Sequence, residues 1–459
     1  MRTIESGERA GLGWSLALLA LAQLIFSLDL NIVFVALPEI GADLGFPGQT
    51  QQWVVSAYVV FAGGFLLLGG RAADLLGRRR VFVTALALYA VSSLAGGLAT
   101  SPELIVLARA VQGIGGALLL PSTLSLITTL FEEGPRRNRA LAVWGGAGAS
   151  GLTIGALLGG VLTEAFGWPA VFLVNVPLAG AVALAALAVI PRDAPASRAG
   201  RRFDLPGAMS ATAGATLLVF ALVQGPEVGW AAPVIVVAGA VAVLLLAVFV
   251  RLEARGRDPL LPLRLLKNRS LVVAVAVTFL FMATFGTLPY FLTVLLQTVH
   301  GLSALQTGLL FLVPSAAIAT GTQLGERMTN RLGVRTTLLA AFAVGAAGTA
   351  ALAWGADEGS SVASTIPGLV VSGVAQGVVW TAMWIAAATG VPAGEQGVAS
   401  GLASTTLNIG NAVGLAVLIA VSHAGAYSLA DGGALAILLA AVALLLGLAV
   451  TLTLPRRHR

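Results

Sequence analysis

Fourteen stretches of this sequence are each long and apolar enough to cross a lipid bilayer, and this constrains the fold more than any other feature. A membrane-crossing helix needs about 20 mainly apolar residues. The first six stretches run from Leu12 to Leu37, Gln52 to Gly69, Val81 to Ala99, Leu104 to Leu126, Leu141 to Thr163 and Pro169 to Ile190. The other eight run from Pro206 to Leu222, Ala232 to Val250, Leu271 to Gln297, Leu305 to Leu324, Thr336 to Trp354, Ile366 to Ala388, Val398 to Val421 and Gly433 to Leu454. With 58% of 459 residues hydrophobic and only 10% charged, the chain carries more apolar side chain than a water-soluble core can bury. In hydrocarbon every backbone N–H and C=O must be paired within the structure, which restricts spanning segments to helices or closed barrels. Fifty-six glycines among many Ala, Leu and Val residues suit closely packed helices. The expected class is an all-α integral membrane protein.

Charge tests the helix count independently of hydropathy. With the amino terminus inside, every Arg and Lys except Arg109 falls in a segment on the cytoplasmic side. The outer segments carry only acids: Glu39, Asp43, Glu103, Glu164, Glu227, Asp357, Glu358 and Asp431. One miscounted helix would scramble this pattern. Both termini are therefore expected in the cytoplasm, and the first stretch, too long for a signal-peptide core, is expected to stay as a membrane span. The basic excess sits in short loops, which predicts lipid head groups as its partner and no nucleic acid. All but one of the 26 basic residues are arginine, a usage that fits a GC-rich bacterial genome and hence a bacterial plasma membrane.

Several function classes are excluded. The chain has no cysteine, and His300, His423 and His458 lie far apart, so neither thiolate chemistry nor a metal site is expected. The sole lysine, Lys267, follows Leu266 and cannot complete a phosphate-binding loop, so no ATPase is encoded. An intramembrane enzyme needs clustered nucleophile, base or metal ligands. The spans hold one acid and one arginine, so no enzyme and no cofactor are expected.

The sequence also repeats. GGRAADLLGRR, Gly69 to Arg79, returns degraded as GERMTNRLGVR, Gly325 to Arg335, and AVQG, Ala110 to Gly113, returns as VAQG, Val374 to Gly377. Nearly equal offsets make helices 1 to 6 and 9 to 14 homologous, with helices 7 and 8 inserted. The expected division is residues 1–190 as one six-helix bundle, 191–270 as linkers with the inserted pair, and 271–459 as a second, pseudo-symmetric six-helix bundle. Such halves are a transporter plan, with a small-molecule site near the midplane.

Asp29 and Arg109 are the ionisable side chains placed well inside the hydrocarbon, both in its outer half. Intramembrane charges are costly and usually pair. Two readings stand: a fixed structural ion pair, or a proton site whose carboxylate changes its hold on a proton when the arginine leaves. The repeat has Gly373 where the first half has Arg109, so the fold alone does not demand the charge. The cytoplasmic loop GRAADLLGRRR places Gly70 and Gly77 for a tight turn, Asp74 to cap a helix start, and Arg78 and Arg79 to pair with acids or lipid phosphates. In GLTIGALLGG, Gly151, Gly155 and Gly159 recur every fourth residue on one face, with Gly160 beside them, and permit close helix contact. Asn31, Gln112, Asn175, Tyr290, Gln297, Asn408 and Asn411 either line a cavity or bond between helices. Trp380 and Trp384, one turn apart, either fill the core or wall an apolar substrate site.

These motifs resemble the major facilitator superfamily, in its fourteen-helix drug:proton antiporter branch. Gly70, Asp74, Gly77, Arg78 and Arg79 match the family's loop after helix 2, while Ala72 and Leu75 depart from it. LARAVQGIGGA, Leu107 to Ala117, resembles the helix 4 motif whose arginine, here Arg109, is linked to proton transfer. LDLNIVFVALP, Leu28 to Pro38, resembles the helix 1 motif, with Asn31 and Phe34 as departures. The helix 5 stretch resembles the antiporter motif, with Ala156 in place of proline, and FLVNVP, Phe172 to Pro177, and LQTVHGLSALQTG, Leu296 to Gly308, also look like this branch. The resemblance implies proton-coupled export of small hydrophobic compounds by alternating access, through a monomer whose partners are substrate, protons and lipid. Uptake by a proton symporter is the alternative.

Overall fold

The computed structural model describes residues 2–46, 48–193, 204–256, 259–302, 304–353, 361–422 and 429–455. Part of the linker ahead of helix 7, the outer acids Asp357 and Glu358, and the side chain of Asp431 lie outside that description. Among the described residues the ordered structure is helical throughout, and fourteen helices are long and apolar enough to cross a membrane. They are α1 Gly11–Phe34, α2 Thr50–Leu76, α3 Arg78–Gly97, α4 Pro102–Leu130, α5 Pro135–Phe166, α6 Pro169–Val189, α7 Leu205–Pro226, α8 Pro233–Arg255, α9 Arg269–Gln297, α10 Gln306–Leu332, α11 Val334–Ala353, α12 Val362–Ala388, α13 Ala393–Ser422 and α14 Gly432–Thr451. This is a multi-pass membrane protein.

The chain forms two compact units. The first comprises Met1–Glu132, Gly151–Leu265 and Val391–Thr405, and the second Glu133–Ser150, Leu266–Gly390 and Thr406–Arg459. In the first unit α4 packs on α2 and α3, α6 on α3 and α1, and the pair α7 and α8 attaches through α2. In the second, α12 packs on α10 and α11, and α14 on α11 and α9. The pairings of the first six helices thus return eight helices later, as the internal repeat requires.

The repeated glycines explain these contacts. A Cβ on Gly113 of α4 would strike the backbone of Tyr58 and Ala62 on α2, and one on Gly377 of α12 would strike Ile318 and Thr322 on α10. The AVQG and VAQG repeats therefore mark the same helix crossing in each unit, where only a missing side chain lets the backbones meet.

One boundary differs from the sequence reading. The segment after the second span was expected to leave the helix at Gly70, but α2 continues to Leu76 and breaks only at Gly77, whose φ is +104°. No residue between Gly70 and Leu76 opposes a helix, whereas the positive φ at Gly77 disfavours any side chain. Gly70 and Asp74 are thus helical residues, and the turn itself is one glycine long.

Candidate functional site

The first unit contains a closed polar cluster built around Asp29. Arg109 and Gln112 stand three residues apart on α4 and so share one face. Arg109 donates from its Nη1 to Asp29 Oδ2 at 2.7 Å and to Gln112 Oε1 at 2.8 Å, and from its Nε to the Val54 carbonyl on α2 at 2.9 Å. Gln112 Nε2 donates to Asp29 Oδ1 at 3.0 Å and to Ser93 Oγ on α3 at 2.9 Å. Asn175, on α6, donates its Nδ2 to Asp29 Oδ1 at 2.8 Å. Three helices therefore meet at one carboxylate, and α2 and α3 join the cluster through Arg109 and Gln112. Asp29, Gln112, Ser93 and Asn175 are fully enclosed, and Arg109 is 1% exposed.

Aromatic rings complete the enclosure. The Arg109 guanidinium carbon lies 4.3 Å from the centre of the Tyr58 ring and 6.0 Å from that of Phe172, a placement in which the ring faces favour a cation. The carboxylate faces donors only in this arrangement. The Asn175 Oδ1 atom is buried without a hydrogen-bond partner, and a half-turn of that amide presents an acceptor in place of a donor.

The first unit also holds the sequence around Gly77. Asp74 accepts from the backbone N–H groups of Gly397 and Val398 at 3.1 and 3.0 Å, and from Arg78 at 3.1 Å. It thus caps α13, a helix more than three hundred residues further on, and satisfies N–H groups that a helix start leaves unpaired. The local start of α3 is capped instead by Asp193, which accepts from the N–H groups of Arg79 and Arg80 at 3.0 and 3.2 Å. Arg78 donates to Ser125 Oγ at 2.6 Å and to the Ala393 carbonyl, and Arg79 donates to the Leu187 carbonyl. Gly70 abuts the backbone of Gly397 and Gly401.

The glycine ladder of α5 packs on α1. A Cβ at Gly151, Gly155 or Gly159 would overlap or crowd the carbonyl of Leu24, Leu28 or Ile32 respectively, whereas nothing lies within 4 Å of the position a Cβ would take on Gly160. The same device appears on α13, where Gly410 and Gly414 meet the backbone of Phe279 and Ala283 on α9. That second ladder was not singled out in the sequence, although its four-residue glycine spacing is visible there.

The other polar candidates scatter. Asn31 is half-buried on α1, and Asn408 and Asn411 are half-buried on α13. Tyr290 is 44% exposed and edge-on to Phe291, and Gln297 is exposed where α9 ends in a wider π-helical turn, Leu295–Val299. In the second unit Trp380 and Trp384 gather around a third indole, Trp144 of α5. The Trp144 ring stacks on Trp380 at 6.0 Å and stands at right angles to Trp384 at 5.8 Å, with Phe281 5.5 Å from Trp380. All three indole N–H groups are buried without an acceptor among the described residues. Trp144 carried no signal in the sequence, because an indole in an apolar helix looks like core.

The sequence profile described as Major Facilitator Superfamily matches residues 19–415. The chain belongs to the Major Facilitator Superfamily. Among its relatives, the cephamycin export protein of Amycolatopsis lactamdurans is 41% identical over 339 residues, which is 73% of this chain and 69% of that protein. The puromycin resistance protein of Streptomyces alboniger is 39% identical over 340 residues, 74% of this chain and 67% of that one. The lincomycin resistance protein of Streptomyces lincolnensis is 35% identical over 375 residues, 81% and 76%. In fold, this major facilitator protein matches the human organic anion transporter MFSD10 with a TM-score of 0.71 at 20% identity, covering 97% and 99% of the two chains. It also matches the proton:xylose symporter XylE with a TM-score of 0.69 at 14% identity, covering 96% and 95%.

Proposed function

We propose that this protein is a proton-coupled antiporter that exports small hydrophobic compounds by alternating access, with Asp29 as the coupling acid. The observation that carries the proposal is the enclosed Asp29 cage, in which one arginine and two amides hold a carboxylate, while the sequence repeat has Gly373 where Arg109 stands. A buried ion pair is weak evidence for stability, so its presence at one pseudo-symmetric position only argues for a task. In the proposed cycle the Arg109 contact loosens as access changes, Asn175 and Gln112 reorient, and Asp29 takes a proton from outside and releases it inside. One proton moving down about 100 mV and about one pH unit supplies roughly 3.7 kcal/mol. That supports a gradient of several hundredfold for a neutral substrate.

Export, as against uptake by symport, is favoured by the relatives, whose names describe export of or resistance to antibiotics. The proposal places the protein in a bacterial plasma membrane as a monomer with both termini cytoplasmic, which the one-sided arginines support. It keeps the division at residues 1–190, 191–270 and 271–459. Asp74 with Gly70, Gly77, Arg78 and Arg79 acts as the conformational switch, and the α5 glycines as a close-packed seam. Trp380 and Trp384, joined by Trp144, are the proposed aromatic contacts for substrate. Gln112 and Asn175 pass from the candidate cavity to the proton site.

The test is proton movement in proteoliposomes with an internal pH dye, challenged with lipophilic cations, neutral antibiotics and anions, for the native protein and Asp29→Asn. Discharge of an imposed proton gradient by a compound, with the native protein alone, supports antiport. An equal response from Asp29→Asn removes Asp29 from the role. Substrate accumulating in the compartment that protons enter points instead to symport.

A further inference from the structure

A cavity of about 650 Å³ lies in the second unit where α9 and α11 begin and α14 ends, at the membrane-surface level of three spans. Its polar lining comes from Arg269, Arg335 and Thr453, and its apolar lining includes Leu266, Val272 and Leu452. Arg78, Arg109, Arg137 and Arg264 each form an ion pair, whereas among the described residues neither Arg269 nor Arg335 does. Arg335 donates from one Nη to the Leu452 carbonyl at 3.2 Å, and its Nε is buried without a partner. Arg269 makes no side-chain hydrogen bond among the described residues. Two cations sharing one cavity, one of them with an unmet donor, call for an anion.

The apolar lining decides which anion. Leu266, Val272 and Leu452 are 45%, 40% and 51% exposed, so the cavity opens onto an apolar surface at the level of the bilayer. A free phosphate would satisfy the arginines and leave these side chains without a role. A phospholipid meets both, with its phosphodiester on the guanidinium groups and an acyl chain along the leucines. We propose that this cavity binds an anionic phospholipid. In the orientation proposed above it faces the cytoplasmic leaflet, whose negative lipids are drawn to basic pockets between helices. The site is separate from the Asp29 cluster, and binding here does not depend on the transport reading.

The experiment is a native mass spectrometry titration of the delipidated full chain with phosphatidylglycerol, with phosphatidylcholine of the same acyl chains, and with inorganic phosphate. The variants are Arg269→Gln/Arg335→Gln and, as a charge-matched control away from the cavity, Arg327→Gln/Arg331→Gln. Phosphatidylglycerol is expected to bind the native chain and the control alike, with affinity falling about ten-fold per cavity arginine removed. Melting curves of all variants separate lost binding from lost fold, and Arg269→Gln alone, at an exposed residue, keeps the test readable if the double variant unfolds. Undiminished phosphatidylglycerol binding by the cavity variants, or equal binding of phosphatidylcholine to the native chain, overturns the proposal. Displacement of phosphatidylglycerol by equimolar inorganic phosphate also overturns it, in favour of a soluble anion.

Discussion

Replacing Arg109 with glutamine is the sharpest test of how the Asp29 cluster is held. The substitution removes the ion pair to Asp29 and the bond to the Val54 carbonyl, and leaves the fully buried carboxylate with Gln112 and Asn175 as its donors. Breaking a buried pair by removing one partner costs about 3–5 kcal/mol, because the penalty is that of an orphaned charge and not merely of a lost contact. In Asp29→Asn/Arg109→Gln no charge is orphaned, so the double variant should be more stable than Arg109→Gln alone, with at least about 1–2 kcal/mol recovered. The assay is reversible denaturation in mixed micelles, or melting in detergent, of native protein, both single variants and the double variant. If the double variant falls as far as the sum of the single variants, the cluster is stabilised by its hydrogen bonds and not by charge compensation, and the reasoning fails. Transport separates the structural from the functional role: the double variant should remain folded yet uncoupled.

Other outcomes follow from the packing. Gly155→Ala should destabilise by about 1–3 kcal/mol through overlap with the Leu28 carbonyl, while Gly160→Ala, with open space at its Cβ, should be neutral or slightly stabilising in the same melting assay. Equal effects at the two sites would show that the ladder does not control the seam. Asp74→Asn keeps the shape but puts an amide donor in place of one of the two oxygens that accept from Gly397 and Val398, and removes the ion pair to Arg78, so it should weaken the start of α13 by about 1 kcal/mol. Faster amide hydrogen exchange in the first turn of α13 is the readout, and an unchanged rate would count against the cap. Trp144→Phe should alter the response of tryptophan fluorescence to substrate if the three indoles contact it; an unchanged quench by a transported compound assigns the cluster to packing.

The spans and the sign of their flanking charges were legible because hydrocarbon penalises every exception. Asp29 and Arg109 stood out for the same reason, and their pairing followed from depth. Gln112 sat visibly one turn from Arg109, but whether it bonded to Asp29 or faced a cavity depended on the crossing of α1 and α4, which no residue spells out. Ser93, Tyr58 and the Val54 carbonyl were invisible on similar grounds: each is an ordinary helix residue until neighbouring helices turn it toward the arginine. Charge density misled at one place. The run Gly70 to Arg80 read as a loop, yet helices tolerate polar residues at a membrane surface, and only Gly77 supplies a break. The partner of Asp74 was likewise beyond sequence reasoning, since a capping carboxylate does not say which helix it caps.

The seam between α1 and α5 has a mechanical character that follows from its rungs. Leu24, Leu28 and Ile32 offer carbonyl groups at four-residue intervals, and Gly151, Gly155 and Gly159 answer at the same interval. Bulky side chains would lock two helices like teeth of unequal size. The three glycine rungs do so at their ends: a shift of one turn, about 5.4 Å along the axis, would bring Ala147 or Thr163 onto a carbonyl where a glycine now sits. Such a joint lets the two backbones approach closely while it fixes their axial position, and works as a latch more than as a slide.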